Sequence, residues 1–287
     1  MQLAAQAIVH HPFEIDLGPL PSLTGFGLAV LAGFFIAQIV AQRELIRRGR
    51  AAEAEVLPDI VFAAVLGMIV GGKTYYILVI THDWNDLFTR AGFVFWGGLM
   101  GGVLFNWLFI RWKKLPFLRF ADVAGIAIAA GYAVGRTGCW AVGDDYGRPW
   151  DSRFAVMFPE GAPPSTAGIM NRMFGVPIPP GATPDTVLAV HPTQLYETAM
   201  GFAMFAILWR MRDHKHAEGW LFGAYMVLAG VERFIVEIFR AKDDRFFGPF
   251  TAAQAIGVAI TVAGALLMYA RRDVGERGAS GIYANAR

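Results

Sequence analysis

Arginines set inside apolar runs are the residues most able to do chemistry in this chain. Arg136 stands where the apolar run beginning near Phe120 gives way to Gly131–Pro149, a stretch of glycine, acid, arginine and aromatic residues. At hydrocarbon depth an arginine is costly unless it is paired or faces a wet cavity. A lipid phosphate is one partner, because a guanidinium holds it with two parallel hydrogen bonds. The other reading is a helix end anchored by a snorkelling side chain. A second cluster is Glu232, Arg233, Glu237 and Arg240. Arg233, Glu237 and Arg240 are four and three residues apart, so they share one helix face. Arg233 precedes Phe239 by six residues, which puts it roughly 9 Å inside the helix end. Burial there costs at least ~2.5–3.5 kcal/mol. Glu237 is its natural partner. The pair is either a self-satisfied ion pair or, completed by Arg136, an anion site for a phospholipid head group. His191 precedes Pro192 at a helix start, where it is a cap or a base. Lys73 is a further buried cation, able to pair with a carboxylate or to share the same cavity.

These residues need helices in a membrane to position them. Hydrophobic residues make up 55% of the 287, mean hydropathy is +0.44, and apolar runs reach membrane-spanning length. The reading is an all-α integral membrane protein of one domain, 1–287. It has seven transmembrane helices at about 20–39, 57–80, 92–110, 120–135, 193–209, 220–239 and 250–270. Segment 136–192, with Asp144-Asp145 and two proline-rich pieces, is a small irregular periplasmic head in which residues 153–158 could form a short strand. No signal peptide is expected at the amino terminus.

Charge placement orients the spans. Loops 43–55, 111–119 and 210–218 and the tail from 271 hold 4, 4, 3 and 4 Lys or Arg. The alternate side holds none before the first span and one in loop 81–91, and its other basic residues lie in 136–191 and 240–249. Short basic loops stay cytoplasmic, so the amino terminus is periplasmic and the carboxyl terminus cytoplasmic. Only Lys73 and Arg233 of the 25 basic residues are then left within spans. Trp112, Trp209 and Trp220 fall at the inner interface and Trp84 and Trp140 at the outer. Asp59 and Asp122 are read as caps or solvated groups.

Gly97, Gly98, Gly101 and Gly102, with Gly67 and Gly71, form small-xxx-small pairs. They serve close helix packing or direct backbone contact with a substrate. A net charge of +2 gives no reason to expect nucleic acid. A single cysteine, Cys139, excludes an intrachain disulfide and argues against a Cys-based metal site.

Three ordered blocks resemble the phosphatidylglycerol–prolipoprotein diacylglyceryl transferase family. They are Gly135-Arg136-Thr137-Gly138 with Gly147-Arg148-Pro149, then His191-Pro192-Thr193-Gln194-Leu195-Tyr196-Glu197, then Glu232 to Arg240 with Asp243 and Gln254 beyond. The resemblance implies a seven-span enzyme of the bacterial cytoplasmic (inner) membrane. Such an enzyme moves diacylglycerol from phosphatidylglycerol to the lipobox cysteine of a secreted prolipoprotein, releasing glycerol phosphate. It implies that Arg136 and Arg233 are essential and that Glu237 and Arg240 support them; Arg148, Lys73, Gly97 and Gly98 are further candidates for the substrate site. The nucleophile is the substrate's thiol, so no cofactor or metal is implied.

Four positions depart from the family pattern. Trp96 replaces a histidine, Phe26 a tyrosine, Cys139 an asparagine and Lys73 an arginine. Indole nitrogen only donates hydrogen bonds, so Trp96 cannot take the thiol proton, and His191 is the expected base. Two alternatives stand beside this reading: a divergent phospholipid-binding relative with another acceptor or no catalysis, and an anion transporter or channel.

Overall fold

The computed structural model describes residues 7–16, 18, 22–88, 92, 94–241, 245–247 and 250–273. Leu20, Arg90, Lys242, Asp243, Arg277 and Arg287, used in the reading above, lie outside the described residues. The protein is mostly helical. Its helices are α1 (Gly25–Arg47), α2 (Ala51–Ala54), α3 (Leu57–Tyr75), α4 (Phe95–Trp112), α5 (Phe117–Val142), α6 (Ala167–Phe174), α7 (Thr193–Met211), α8 (Trp220–Phe239) and α9 (Ala252–Ala270). α3 continues as a wider turn through Tyr76–Thr81. Among the described residues, four helical stretches are long and apolar enough to cross a membrane: Gly25–Arg47, Ala51–Thr81, Phe117–Val142 and Ala252–Ala270.

Local chemistry sets the helix ends. Thr24 accepts from the Gly27 amide at 3.2 Å to start α1. Thr251 and Gln254 form a reciprocal capping box at the start of α9. α5 ends at Gly143, whose φ of +68° lets its amide reach back to the Cys139 carbonyl at 3.0 Å. Asp122 is indeed a cap, but of a different helix. Its buried carboxylate accepts the Gly219 and Phe222 amides, each at 2.8 Å, at the start of α8.

α5 outruns the expected span at both ends. It runs on past Arg136 to Val142, so Arg136 lies inside a helix rather than at its end. Cys139 and Trp140 are likewise helical. Cys139 is buried, and Trp140 packs edge-on against His10 and Phe158. The helix continues because α1 packs on its glycine-bearing face: Gly131 meets Gly33, and Gly138 meets Phe26 and Ala29. α1 itself continues to Arg47, so Arg43 and Arg47 are on the helix and not in a loop.

The helices pack mainly as α1 on α5, α3 on α4, α8 on α9, and α7 on α5. At one end, residues between α5 and α7 form a folded unit around a small three-stranded sheet. Its strands are β1 (Ile8–Val9), β4 (Val156–Met157) and β5 (Ala189–Val190), with β4 central, parallel to β1 and antiparallel to β5. Only two residues of the expected 153–158 strand pair. Two hairpins, β2 (Glu14–Ile15) with β3 (Leu23–Thr24) and β6 (Arg245–Phe247) with β7 (Phe250–Thr251), complete the strands. Tyr146, Phe158, Met170 and Val190 form the core of this unit. The basic loops meet at the opposite end. There Arg47 pairs with Asp213 at 2.8 Å, and Arg119 pairs with Glu218 at 2.7 Å and Glu53 at 2.5 Å.

Candidate active site

Three arginines from α5, α8 and the end of α8 are drawn into one alternating chain of acids and bases. Arg233 donates to Glu237 at 2.6 Å, one turn on, as the spacing required. Arg240 lies 3.9 Å from the same Glu237 carboxylate and donates to Asp145 at 2.8 Å. Asp145 gives its second oxygen to Arg136 at 3.0 Å. Arg136 pairs with Glu197 of α7 through its other amino group. Tyr132 then donates to Glu232 at 2.9 Å and lies 3.4 Å from Glu197. The chain thus starts and ends at adjacent residues of α8, 233 and 232.

The supporting backbone is tightly held. The carbonyls of Asp144 and Asp145 accept from Gln194 and Thr193 in the first turn of α7, the second bond being 2.6 Å. Arg148 donates through Nε to the Arg240 carbonyl at 2.8 Å, and its amide bonds to Phe239 at 2.8 Å. Arg148 therefore fixes Arg240. Gly147 sits where these strands cross. A methyl group there would strike the Phe239 carbonyl, the His191 Cβ and the Thr193 methyl.

Burial and charge oppose each other in the loop. Burial raises the Asp145 carboxyl, but Arg240 and then Arg136 overcome it and hold it down at about 2. Asp144 is pushed up to about 6, by burial first and then by the neighbouring Asp145. Cys139, Asp144 and Asp145 bring a thiol and two carboxylates within 4.8 Å. Both Asp145 oxygens are already taken by guanidinium groups, so this carboxylate is matched to arginine rather than to a metal ion.

His191 is brought beside this chain. Its amide bonds to the Arg148 carbonyl at 3.0 Å and its carbonyl accepts from Gly147 at 2.8 Å. The ring stacks on Trp150 at 4.2 Å between centroids, tilts against Phe239, and sets Nδ1 3.2 Å from the Tyr196 hydroxyl. Burial lowers its pKa, so the ring is neutral at neutral pH.

Other expected site residues belong to a different part of the fold. Lys73, in the last turn of α3, donates to the Asp86 carbonyl at 3.1 Å. Gly97 packs on Gly71 and Tyr75, and Gly101 on Gly67 and Gly71, so the glycines are buried in the α3–α4 contact. Trp96 is half-exposed. Asp145, Glu197 and Tyr132 are the residues whose part in the chain the sequence reading missed. Tyr132 was detectable, lying one turn before Arg136 on the same face.

Fold and site define a helical membrane protein with an acid-matched arginine cluster where three helices meet a folded head. A model of the prolipoprotein diacylglyceryl transferase family matches residues 12–270. The phosphatidylglycerol–prolipoprotein diacylglyceryl transferase of Geobacter sulfurreducens is 30% identical over 263 residues, covering 87% of this chain and 92% of that protein. The same-named protein of Xanthomonas oryzae pv. oryzae is 32% identical over 276 residues, covering 91% of each. That of Bordetella avium is 29% identical over 256 residues, covering 86% of this chain and 87% of its own. The chain belongs to the prolipoprotein diacylglyceryl transferase family.

Proposed function

We propose that this protein transfers diacylglycerol from phosphatidylglycerol to the lipobox cysteine thiol of a prolipoprotein. A thioether forms and glycerol phosphate leaves. The observation that carries the reading is the gathering of Arg136, Arg233 and Arg240 at one helix junction. Their guanidinium groups hold the lipid phosphate and stabilise the charge that grows on it as it departs. Glu237 aims Arg233 and lies beside Arg240, and Arg148 fixes Arg240. His191, neutral and next to the chain, takes the thiol proton. A thiol of pKa ~8.5 attacks well only as thiolate.

The same reading places seven spans, α1, α3, α4, α5, α7, α8 and α9, in the bacterial inner membrane. The head and amino terminus are periplasmic and the carboxyl terminus is cytoplasmic. Support comes from the meeting of the basic loops at the end opposite the head. Short basic loops are retained in the cytoplasm. The test is incubation of purified protein with labelled phosphatidylglycerol and a lipobox peptide. Label on the cysteine with release of glycerol phosphate is expected. No transfer to the peptide, with lipid still bound, would reassign the protein as a binding relative.

A further inference from the structure

The Asp145 carboxylate has the geometry of a small oxyanion clamped between two arginines. Its Oδ2 takes Arg136 at 3.0 Å and its Oδ1 takes Arg240 at 2.8 Å. A phosphate that binds these arginines side by side needs the same two donors. One amino group of Arg136 is held by Glu197, and its Nε is buried without a partner. We infer that Asp145 is an internal competitor, occupying the phosphate seat between Arg136 and Arg240 until the lipid head group displaces it. This rests on the proposed role of those arginines in holding the phosphate.

Three features fit a side chain built to leave. Asp145 adopts φ +55°, a left-handed conformation that aspartate and asparagine tolerate better than most residues. Its backbone does not need to move, because Thr193 holds its carbonyl at 2.6 Å and the carbonyl before it accepts from Gln194. Its side chain is 39% exposed, whereas those of Arg136 and Arg240 are 14% and 17% exposed, so the carboxylate is the most solvent-accessible of the three. In the meantime it keeps two arginines paired at a depth where unpaired charge is expensive. It also selects for ligands that match a carboxylate's single charge and add acceptor oxygens, as a lipid phosphodiester does; the departing glycerol phosphate gains a second charge in the same seat.

A seat filled most of the time weakens apparent affinity by the fraction left open. Asp145→Asn and Asp145→Ser remove the competing charge. Each is expected to lower KM for phosphatidylglycerol about tenfold, for a seat about nine-tenths occupied. Glycerol phosphate, the product, should inhibit both variants more tightly by a similar factor. Asp145→Glu, which keeps a carboxylate within reach, should stay near wild-type KM. An unchanged or raised KM in whichever of the asparagine and serine variants folds overturns the inference and makes Asp145 a positioning residue. Arg136→Lys and Arg240→Lys separate the two readings. If they lose activity while KM in the Asp145 variants does not fall, the competitor fails and the phosphate site stands. If they keep wild-type kcat/KM, the phosphate site itself fails.

Discussion

Arg233 and Glu237 lie one turn apart on α8, 2.6 Å from guanidinium to carboxylate, but their exposures differ widely. The carboxylate side chain is 1% exposed and the arginine 35%. The acid is sunk into the helix junction, and the arginine leans out from it with most of its donors uncommitted. Arg136 is the opposite case, largely buried and holding a different acid with each amino group. A lysine at either position offers a compact point charge that cannot reproduce a planar fork. Arg136→Lys and Arg233→Lys are each expected to lower the transfer rate by ~10²–10³, the usual loss when a preorganised charge stabiliser goes. Initial rates at matched expression check this. A wild-type rate in either variant would make that arginine a structural ion pair.

In the proposed reaction His191 is expected to carry the pH dependence. Burial depresses its pKa below the usual value, so the basic form is the populated one at neutral pH and is lost only as the medium becomes acid. His191→Gln is expected to lower transfer about 10²-fold at neutral pH, the low end for general base catalysis. The deficit should shrink toward the thiol pKa of ~8.5, where the substrate ionises unaided. The acid limb of the wild-type profile should also vanish in the variant. A deficit of constant size across pH would mean that the ring only braces the Trp150–Tyr196–Phe239 aromatic cluster.

The parts of the site confined to one helix were legible in the sequence. Glu237 as the partner of Arg233 follows from a spacing of four, and Trp112, Trp209 and Trp220 do mark the ends of α4, α7 and α8. Pairings between helices were not legible. Nothing in the order of residues says that Glu197, six positions beyond His191, meets Arg136 rather than solvent. Nor does it say that Asp145 bridges two arginines. Those contacts depend on α7 packing on α5, and that packing depends on small residues such as Gly201 against Ala133. The length of α5 was missed for a related reason. Arg136 looks like the end of an apolar run until two acids neutralise it, after which the helix can continue to Gly143.

The glycine stripe of α3 and α4 gives a prediction internal to one helix. A methyl group at Gly101 would collide with the Gly67 carbonyl and crowd the Gly71 Cα. At the adjacent Gly102 the nearest atom is the Ala64 carbonyl at 3.4 Å, close to ordinary contact. Gly101→Ala is therefore expected to destabilise the protein by ~1–3 kcal/mol, the cost of overpacking. Gly102→Ala should be near neutral. Thermal unfolding in detergent compares them directly. Equal midpoints would show that the two helices can separate without cost.

Orientation is checked by thiol labelling, for which the single native cysteine is a quiet background because Cys139 is buried in α5. Asp185 is exposed in the head segment and Lys215 is exposed in the basic loop between α7 and α8. Cysteines placed at these two positions report on opposite ends of the helix bundle. A membrane-impermeant maleimide applied to intact spheroplasts should label Asp185→Cys and spare Lys215→Cys. Lysis should expose the second. The expectation rests on Arg210, Arg212 and Lys215 being retained on the cytoplasmic side while the head is translocated. It also bears on the proposed reaction, in which a lipobox thiol emerging on the outer side would meet Arg136 and Arg240 from the head end. Labelling of Lys215→Cys alone in intact spheroplasts would turn the molecule over and put the arginine chain on the wrong side for a secreted substrate.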